Sequence, residues 1–278
     1  MNSSEQDDRQ PKDLCYYEPT VPGDAPIFLL GSGQRCGSTL LQRLLNSCEG
    51  VLLWGEHHGV LNTLVSINDE LLAWEKKFEG NRKGFLNSDQ DLFLPNMIPE
   101  DHEIRTAALA YVVNLFGLPS AKLGSPVWGF KEVRYGAVIA MFLQDLFPKA
   151  RIIHLTRDVR DCFLSMKRWE DSDEEWNREM TEMAIWDWVR INGSINEVKG
   201  EINNLLTVKY EEMIGDPDAF AQRLAQFVGV DVGDFDLTIF DRKLGGSAAE
   251  QGEVKLDPED ERFLSDPAIV KVAEACGY

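Results

Sequence analysis

The stretch Ile27-Phe28-Leu29-Leu30-Gly31-Ser32-Gly33-Gln34-Arg35-Cys36-Gly37-Ser38-Thr39-Leu40-Leu41 decides the fold. Its first four residues form an unbroken apolar run that ends at a glycine, which reads as a strand buried on both faces, as in parallel sheets. Ser32 to Gly37 reads as a turn. From Ser38 to Asn46, Leu40, Leu41, Leu44 and Leu45 recur at helical spacing. Strand, Gly-rich turn and helix in that order bring free N–H groups and the positive end of a helix dipole to one spot, which suits an anion. Arg35 adds a fixed charge whose fork matches phosphate or sulfate oxygens, and Ser38 and Thr39 add hydroxyl donors. A strand–turn–helix junction that holds no ligand has the same outline. The triphosphate-binding version needs a lysine directly after its second glycine; here Ser38 follows Gly37 and the basic residue stands two positions before it.

Outward from that turn the same grammar repeats. Val51 to Trp54 reads as a second strand, followed by Gly55-Glu56-His57-His58. Val127 to Val133 reads as a third and Arg151 to Thr156 as a fourth, with a helix over Ala137 to Phe147 between them. Leu205 to Lys209 reads as a fifth strand. Further helices are expected over Val159–Trp169, Trp176–Lys199 and Phe220–Val228, with a short one near the end. Strands alternating with helices predict an α/β fold: a central parallel sheet with helices on both faces, like P-loop nucleotide-binding folds. Residues 1–25 read as a mobile leader and 26–278 as one domain, with a helical and loop insertion at about 59–120. Within it, Glu79 to Pro95, which contains Gly80, Asn81, Gly84 and Pro95, reads as a long loop. Trp74, Trp128, Trp176, Trp186 and Trp188 read as core.

The 278 residues carry a formal net charge of −19, which argues against a nucleic-acid partner. It leaves room for a small anionic ligand, since distant charges are screened within about 10 Å. Five cysteines at wide spacing, without a CxxC, give neither a disulfide framework nor a zinc site. No apolar run nears the roughly 18 residues of a membrane span, and a cytoplasmic location is the expectation.

A second polar strand tip lies at Arg157-Asp158-Val159-Arg160-Asp161, with Ser165 eight residues beyond Arg157, about two helical turns. Ligands of open α/β sheets bind at that edge. A surface Arg–Asp network is the alternative, worth about 1 kcal/mol or less per pair. Taken together, the two tips fit a nucleotide with phosphates on both sides of its ribose.

With these residues in place the chain resembles the sulfotransferase family. Gln34-Arg35-Cys36-Gly37-Ser38-Thr39-Leu40-Leu41 is similar to the family's P-[KR]-S-G-T-T-L-L turn. Arg157 through Ser165, with Trp169 four residues on, is similar to its R-D-x-R-D-x-x-x-S segment, and the separation of about 120 residues is similar too. Val208-Lys209-Tyr210-Glu211-Glu212-Met213, with Asp216-Pro217, resembles the stretch whose tyrosine sits near the adenine. Cys36 stands where a serine is usual, and Gln34 where a proline is.

The resemblance implies a donor, 3'-phosphoadenosine-5'-phosphosulfate, leaving as adenosine-3',5'-bisphosphate, with no metal and with a small-molecule, lipid or saccharide acceptor. It implies that Gly33, Gln34, Cys36, Gly37, Ser38 and Thr39 cradle the 5' end and that Arg35 bridges phosphate and sulfate. Arg157 and Ser165 would hold the 3'-phosphate, with Tyr210 near the base. The catalytic residues it implies are Glu56 as base, with His57 second, and Lys131 with Arg35 as charge stabilisers; Glu56 is similar to a glutamate of the tyrosylprotein branch. On these features the chain resembles the Golgi, tyrosylprotein and bacterial branches more than the cytosolic aryl branch. Glu56 at a helix start is also a plain cap, and Lys131 beside Glu132 a plain solvated edge. The alternatives are an ATP-dependent small-molecule kinase on the same fold and a catalytically inactive nucleotide-binding protein. Arg242-Lys243-Leu244-Gly245-Gly246-Ser247 reads either as a loop closing over the 3'-phosphate or as a surface turn.

Overall fold

The computed structural model describes residues 23–87, 93–170, 176–242 and 254–278. Five strands pair in parallel in the order β2-β3-β1-β4-β5. They are β1 (Ile27–Gly31), β2 (Val51–Trp54), β3 (Val127–Glu132), β4 (Arg151–Thr156) and β5 (Leu205–Lys209). The apolar run that opens the sequence is the central strand, with every residue buried. Its side chains alternate between two cores, as a pleat requires. Ile27 and Leu29 join the core formed with α1 (Ser38–Leu45), α6 (Val159–Glu170), α7 (Arg178–Val198) and α9 (Pro217–Val228). Phe28 and Leu30 join the other, with α2 (Leu61–Asn87), α3 (Asp101–Val112) and α5 (Ala137–Leu146). The expected fold, a parallel sheet covered on both faces, is therefore the observed one.

The remaining helices are α4 (Leu118–Lys122), α8 (Tyr210–Gly215), α10 (Pro258–Leu264) and α11 (Pro267–Ala275). A five-residue π-helical turn, Val113–Gly117, joins α3 to α4. It places the Phe116 carbonyl where it accepts a 3.0 Å hydrogen bond from Trp54 Nε1, at the end of β2.

Two expectations need correction. The segment read as a loop from Glu79 is helical as far as Asn87, because α2 bends at Phe78 (φ −118°) and then continues. Gly80 and Gly84 each cost a helix about 1 kcal/mol against alanine. The second half is held instead by Arg82, which bonds Glu75 at 3.1 Å and the Ile98 carbonyl at 3.1 Å, and by the Lys83–Glu79 pair one turn apart. Residues 88–92 of that reading lie outside the described residues. Among the tryptophans, Trp128 and Trp188 are core, Trp176 is half-buried, and Trp74 and Trp186 are over 40% exposed (44% and 42%). Trp74 packs against its helical neighbour Phe78, with the Lys77 ammonium over its ring, and Trp186 meets Phe263 edge-on. Among the described residues no helix is long and apolar enough to cross a membrane.

Candidate functional site

In a parallel sheet all strands end on one edge, and here each end carries polar chemistry. Arg35 follows β1, Glu56 follows β2, Lys131 is next to last in β3, Arg157 follows β4 and Tyr210 follows β5. The strand order reverses around β1, where ligands of open α/β sheets settle.

The first turn is bent into unusual backbone conformations. Arg35 lies at φ 63° and Gly37 at φ 90°. For a non-glycine residue the left-handed region costs about 1–2 kcal/mol, and such strain gathers at functional sites. Gly37 is required: a Cβ there would lie 2.3 Å from the Tyr210 ring. The glycine lets that ring close against the start of α1, whose N-terminus has no side-chain cap bond. The Ser32 amide donates to the Leu155 carbonyl at 2.8 Å, tying the turn to β4. From behind, α7 supports both tips: Asn192 Nδ2 donates to the Ser32 carbonyl at 3.3 Å, and Trp188 Nε1 to the Arg157 carbonyl at 3.1 Å. The Cys36 side chain is fully buried in the core, so only its backbone is available to the cradle; burial pushes its thiol up against hydrogen bonds from Ser38. Ser38 is buried, Gln34 half-buried and Thr39 exposed.

Arg35 joins this turn to the second tip. Its Nε donates to Ser165 Oγ at 3.0 Å, and its guanidinium lies 4.4 Å above the Trp169 ring. Burial, then the neighbouring Arg157, hold it below the usual arginine value. Arg157 Nη1 donates to the Arg35 carbonyl at 2.9 Å, and its guanidinium stacks at 4.3 Å over Tyr210. Its Nε is buried and has no hydrogen-bond partner, a donor that a bound anion suits. Arg35, Arg157, Ser165 and Tyr210 thus form one contiguous group, although 122 positions separate the two arginines.

A second group stands on the tips of β2 and β3. Leu29 of β1 is the register partner of Lys131, so β3, which carries Lys131, lies directly beside β1, whose turn carries Arg35. Lys131 Nζ, nearly buried, bonds Glu56 Oε1 at 2.6 Å, and Arg134 Nη1 bonds Glu56 Oε2 at 2.9 Å. Glu132 is wholly buried beneath. It accepts hydrogen bonds from the amides of His57 (3.1 Å), Gly59 (2.9 Å) and Val133 (2.9 Å), and from Arg134 (2.6 Å). Burial alone would raise this carboxyl; the amides and Arg134 outweigh it and leave it below the ordinary glutamate value. Glu132 therefore fixes the backbone on both sides of His58 and, through it, the placement of Glu56.

His57 faces inward. Its Nε2 is 2.7 Å from Tyr135 Oη, which already accepts from the Leu61 amide at 3.0 Å. Its Nδ1 faces two acceptors, the Gly55 carbonyl at 3.4 Å and Glu132 at 3.9 Å. The proton therefore sits on Nδ1, and Nε2 accepts from the tyrosine. Burial lowers the imidazole below its ordinary value, which favours the neutral ring. Phe116 and Phe130 flank it with ring centroids at 5.0 and 4.7 Å.

Glu132, Arg134 and Tyr135 are candidate site residues that the motif reading passed over, although they close or directly follow β3, the strand of Lys131. The signal was their place: polar residues at the C-terminal end of the apolar strand β3. Of the basic loop, Arg242 bonds Asp236 (3.0 Å) and Thr238 (2.7 Å), while Lys243 to Ser247 lie outside the described residues. A cavity of about 590 Å³, lined by Asp24, Lys149, Arg151 and Arg223 among others, opens at the opposite, N-terminal end of the strands and has no part in the site. Among the described residues no group of three or more His, Cys, Asp or Glu could hold a metal.

A sequence model described as the sulfotransferase family matches residues 26–234. No curated protein matches the chain. Among solved structures, the sulfotransferase domain of the olefin synthase of Synechococcus PCC 7002 aligns with a TM-score of 0.51 and 18% identity, over 94% of this chain and 98% of that one. Sulfotransferase STF9 of Mycobacterium avium gives 0.47 and 16%, over 90% and 76%. Mouse sulfotransferase SULT7A1, complexed with PAP, gives 0.46 and 12%, over 91% and 88%. The first of these likenesses supports the fold.

Proposed function

The chain belongs to the sulfotransferase family, and on that premise we propose that it transfers a sulfuryl group from 3'-phosphoadenosine-5'-phosphosulfate to the hydroxyl or amine of a small-molecule, lipid or saccharide acceptor. The observation that carries the donor assignment is the Arg35–Ser165–Arg157 junction, which joins two strand tips into one cationic group inside an acidic protein. In this reading the turn from Gly33 to Thr39 holds the 5' end. The 3'-phosphate lies between Arg157 and Ser165, and Tyr210 stands beside the adenine. The unpartnered Nε of Arg157 and the glycine that admits the Tyr210 ring are what such a ligand needs.

Glu56 is the base. Its carboxylate takes the acceptor's proton as the acceptor oxygen or nitrogen bonds sulfur. The bond from sulfur to the bridging oxygen of the 5'-phosphate breaks, and its electron pair leaves with adenosine-3',5'-bisphosphate. Lys131 and Arg35 stabilise the charge on the sulfate and on the leaving phosphate. For this, Lys131 turns from Glu56 to the sulfate, and Arg134 keeps the carboxylate aimed. His57 has no free lone pair for a proton and serves to hold the Glu56 loop.

The test is a titration with adenosine-3',5'-bisphosphate and with ATP, each with and without magnesium. The reading expects the bisphosphate to bind tightly without magnesium and ATP to bind weakly under both conditions. Magnesium-dependent ATP binding without bisphosphate binding would move the chain to the kinase alternative, which the missing lysine after Gly37 disfavours.

A further inference from the structure

Beyond Arg157 and Tyr210, a third residue is tied to the strand tip that carries Arg157. Tyr278, 67 positions beyond Glu211, donates its hydroxyl to Glu211 Oε2 at 3.0 Å. The other oxygen, Glu211 Oε1, accepts from the Asp158 amide at 3.1 Å. The Tyr278 hydroxyl also meets Thr156 Oγ1 at 3.1 Å. Thr156 and Asp158 flank Arg157, and Glu211 directly follows Tyr210, the ring on which Arg157 stacks. Lys209 holds the tyrosine from below, with Nζ 4.3 Å over its ring and bonded to the Gly277 carbonyl at 2.7 Å. Burial keeps the phenol above its ordinary value, so it remains a donor at neutral pH.

Resting on the donor reading above, we infer that Tyr278 is a positioning residue that confers preference for a 3'-phosphorylated nucleotide by restraining the Glu211 carboxylate. A carboxylate this close to an anion site acts against the anion unless it is held elsewhere. Here its two oxygens are taken by the Asp158 amide and the Tyr278 hydroxyl. The first bond fixes the start of α6, which carries Ser165; the second holds the other carboxylate oxygen on the tyrosine. Without the hydroxyl, Glu211 is free to turn to the Arg157 guanidinium and compete with the phosphate.

The experiment compares binding of adenosine-3',5'-bisphosphate and adenosine 5'-phosphate to the full chain, to Tyr278→Phe and to Tyr278→Phe/Glu211→Gln. Tyr278→Phe is expected to weaken the bisphosphate about tenfold, the range of one hydrogen bond to a charged group, and to leave the monophosphate unchanged. The added Glu211→Gln, which removes the competing charge, is expected to restore much of the preference. Equal loss for both ligands would mean general destabilisation and would overturn the inference, as would an unchanged preference in Tyr278→Phe. If the unaltered chain shows no preference for the bisphosphate, the donor assignment fails first and takes this inference with it.

Discussion

Glu56→Gln is expected to lower kcat for sulfuryl transfer by about 10²–10⁴-fold, the usual contribution of a general base, with donor affinity retained. The substitution keeps the side-chain shape and leaves an amide oxygen for Lys131 or Arg134, but it removes the lone pair that takes the acceptor's proton. Burial does not complicate the result, because the Glu56 side chain is 36% exposed and belongs to neither core. The measurement is single-turnover transfer with labelled donor, together with the affinity for adenosine-3',5'-bisphosphate. Full activity in this variant would place the base elsewhere. His57 would be a poor second choice, since both its ring nitrogens face partners within the protein.

Lys131→Ala is expected to lower kcat by about 10²–10³-fold, the loss typical of one preorganised donor to developing charge. The affinity for the acceptor should hardly change, because the contact forms on the transferring sulfate. Lys131 is the next-to-last residue of β3, with only 4% of its surface exposed, so its stem is confined and its ammonium has only the short turn from Glu56 to the sulfate to make. Removing it leaves Glu56 paired with Arg134, and no buried charge is stranded, so the variant folds. Lys131→Arg should not restore the rate: a planar fork does not replace a point charge in a closed site. An unimpaired Lys131→Ala would reduce this residue to a strand-end ion pair.

How much of this was legible in the sequence follows from range. The strands were, because Ile27–Gly31 and Arg151–Thr156 are short apolar runs with polar ends, and a parallel sheet puts such ends on one edge. The Arg35 turn and the Arg157 to Ser165 segment were legible as separate tips for the same reason. Their joining through the Arg35–Ser165 bond, 130 positions apart, needed the fold. So did the Tyr135–His57 contact, 78 positions apart, which decides the tautomer of a residue that sequence placed second as base. Local rules failed at Glu79–Asn87, where the glycines argued for a loop and the ion pairs of Arg82 and Lys83 kept a helix. They also gave no hint of the π-helical turn at Val113–Gly117, a form too rare for local rules to anticipate. Cys36 stands where the resemblance puts a serine, and its side chain lies in the core, so at that position only backbone faces the turn.

The central claim is that Arg35, Arg157 and Ser165 grip a single nucleotide phosphorylated on both sides of its ribose. The most direct measurement is a crystal structure of the chain with adenosine-3',5'-bisphosphate. The account predicts the 3'-phosphate within hydrogen-bond distance of the Arg157 guanidinium and Ser165 Oγ, and the 5'-phosphate against the turn from Gly33 to Thr39. A nucleotide bound with the two phosphates exchanged, or bound away from these three side chains, would contradict it.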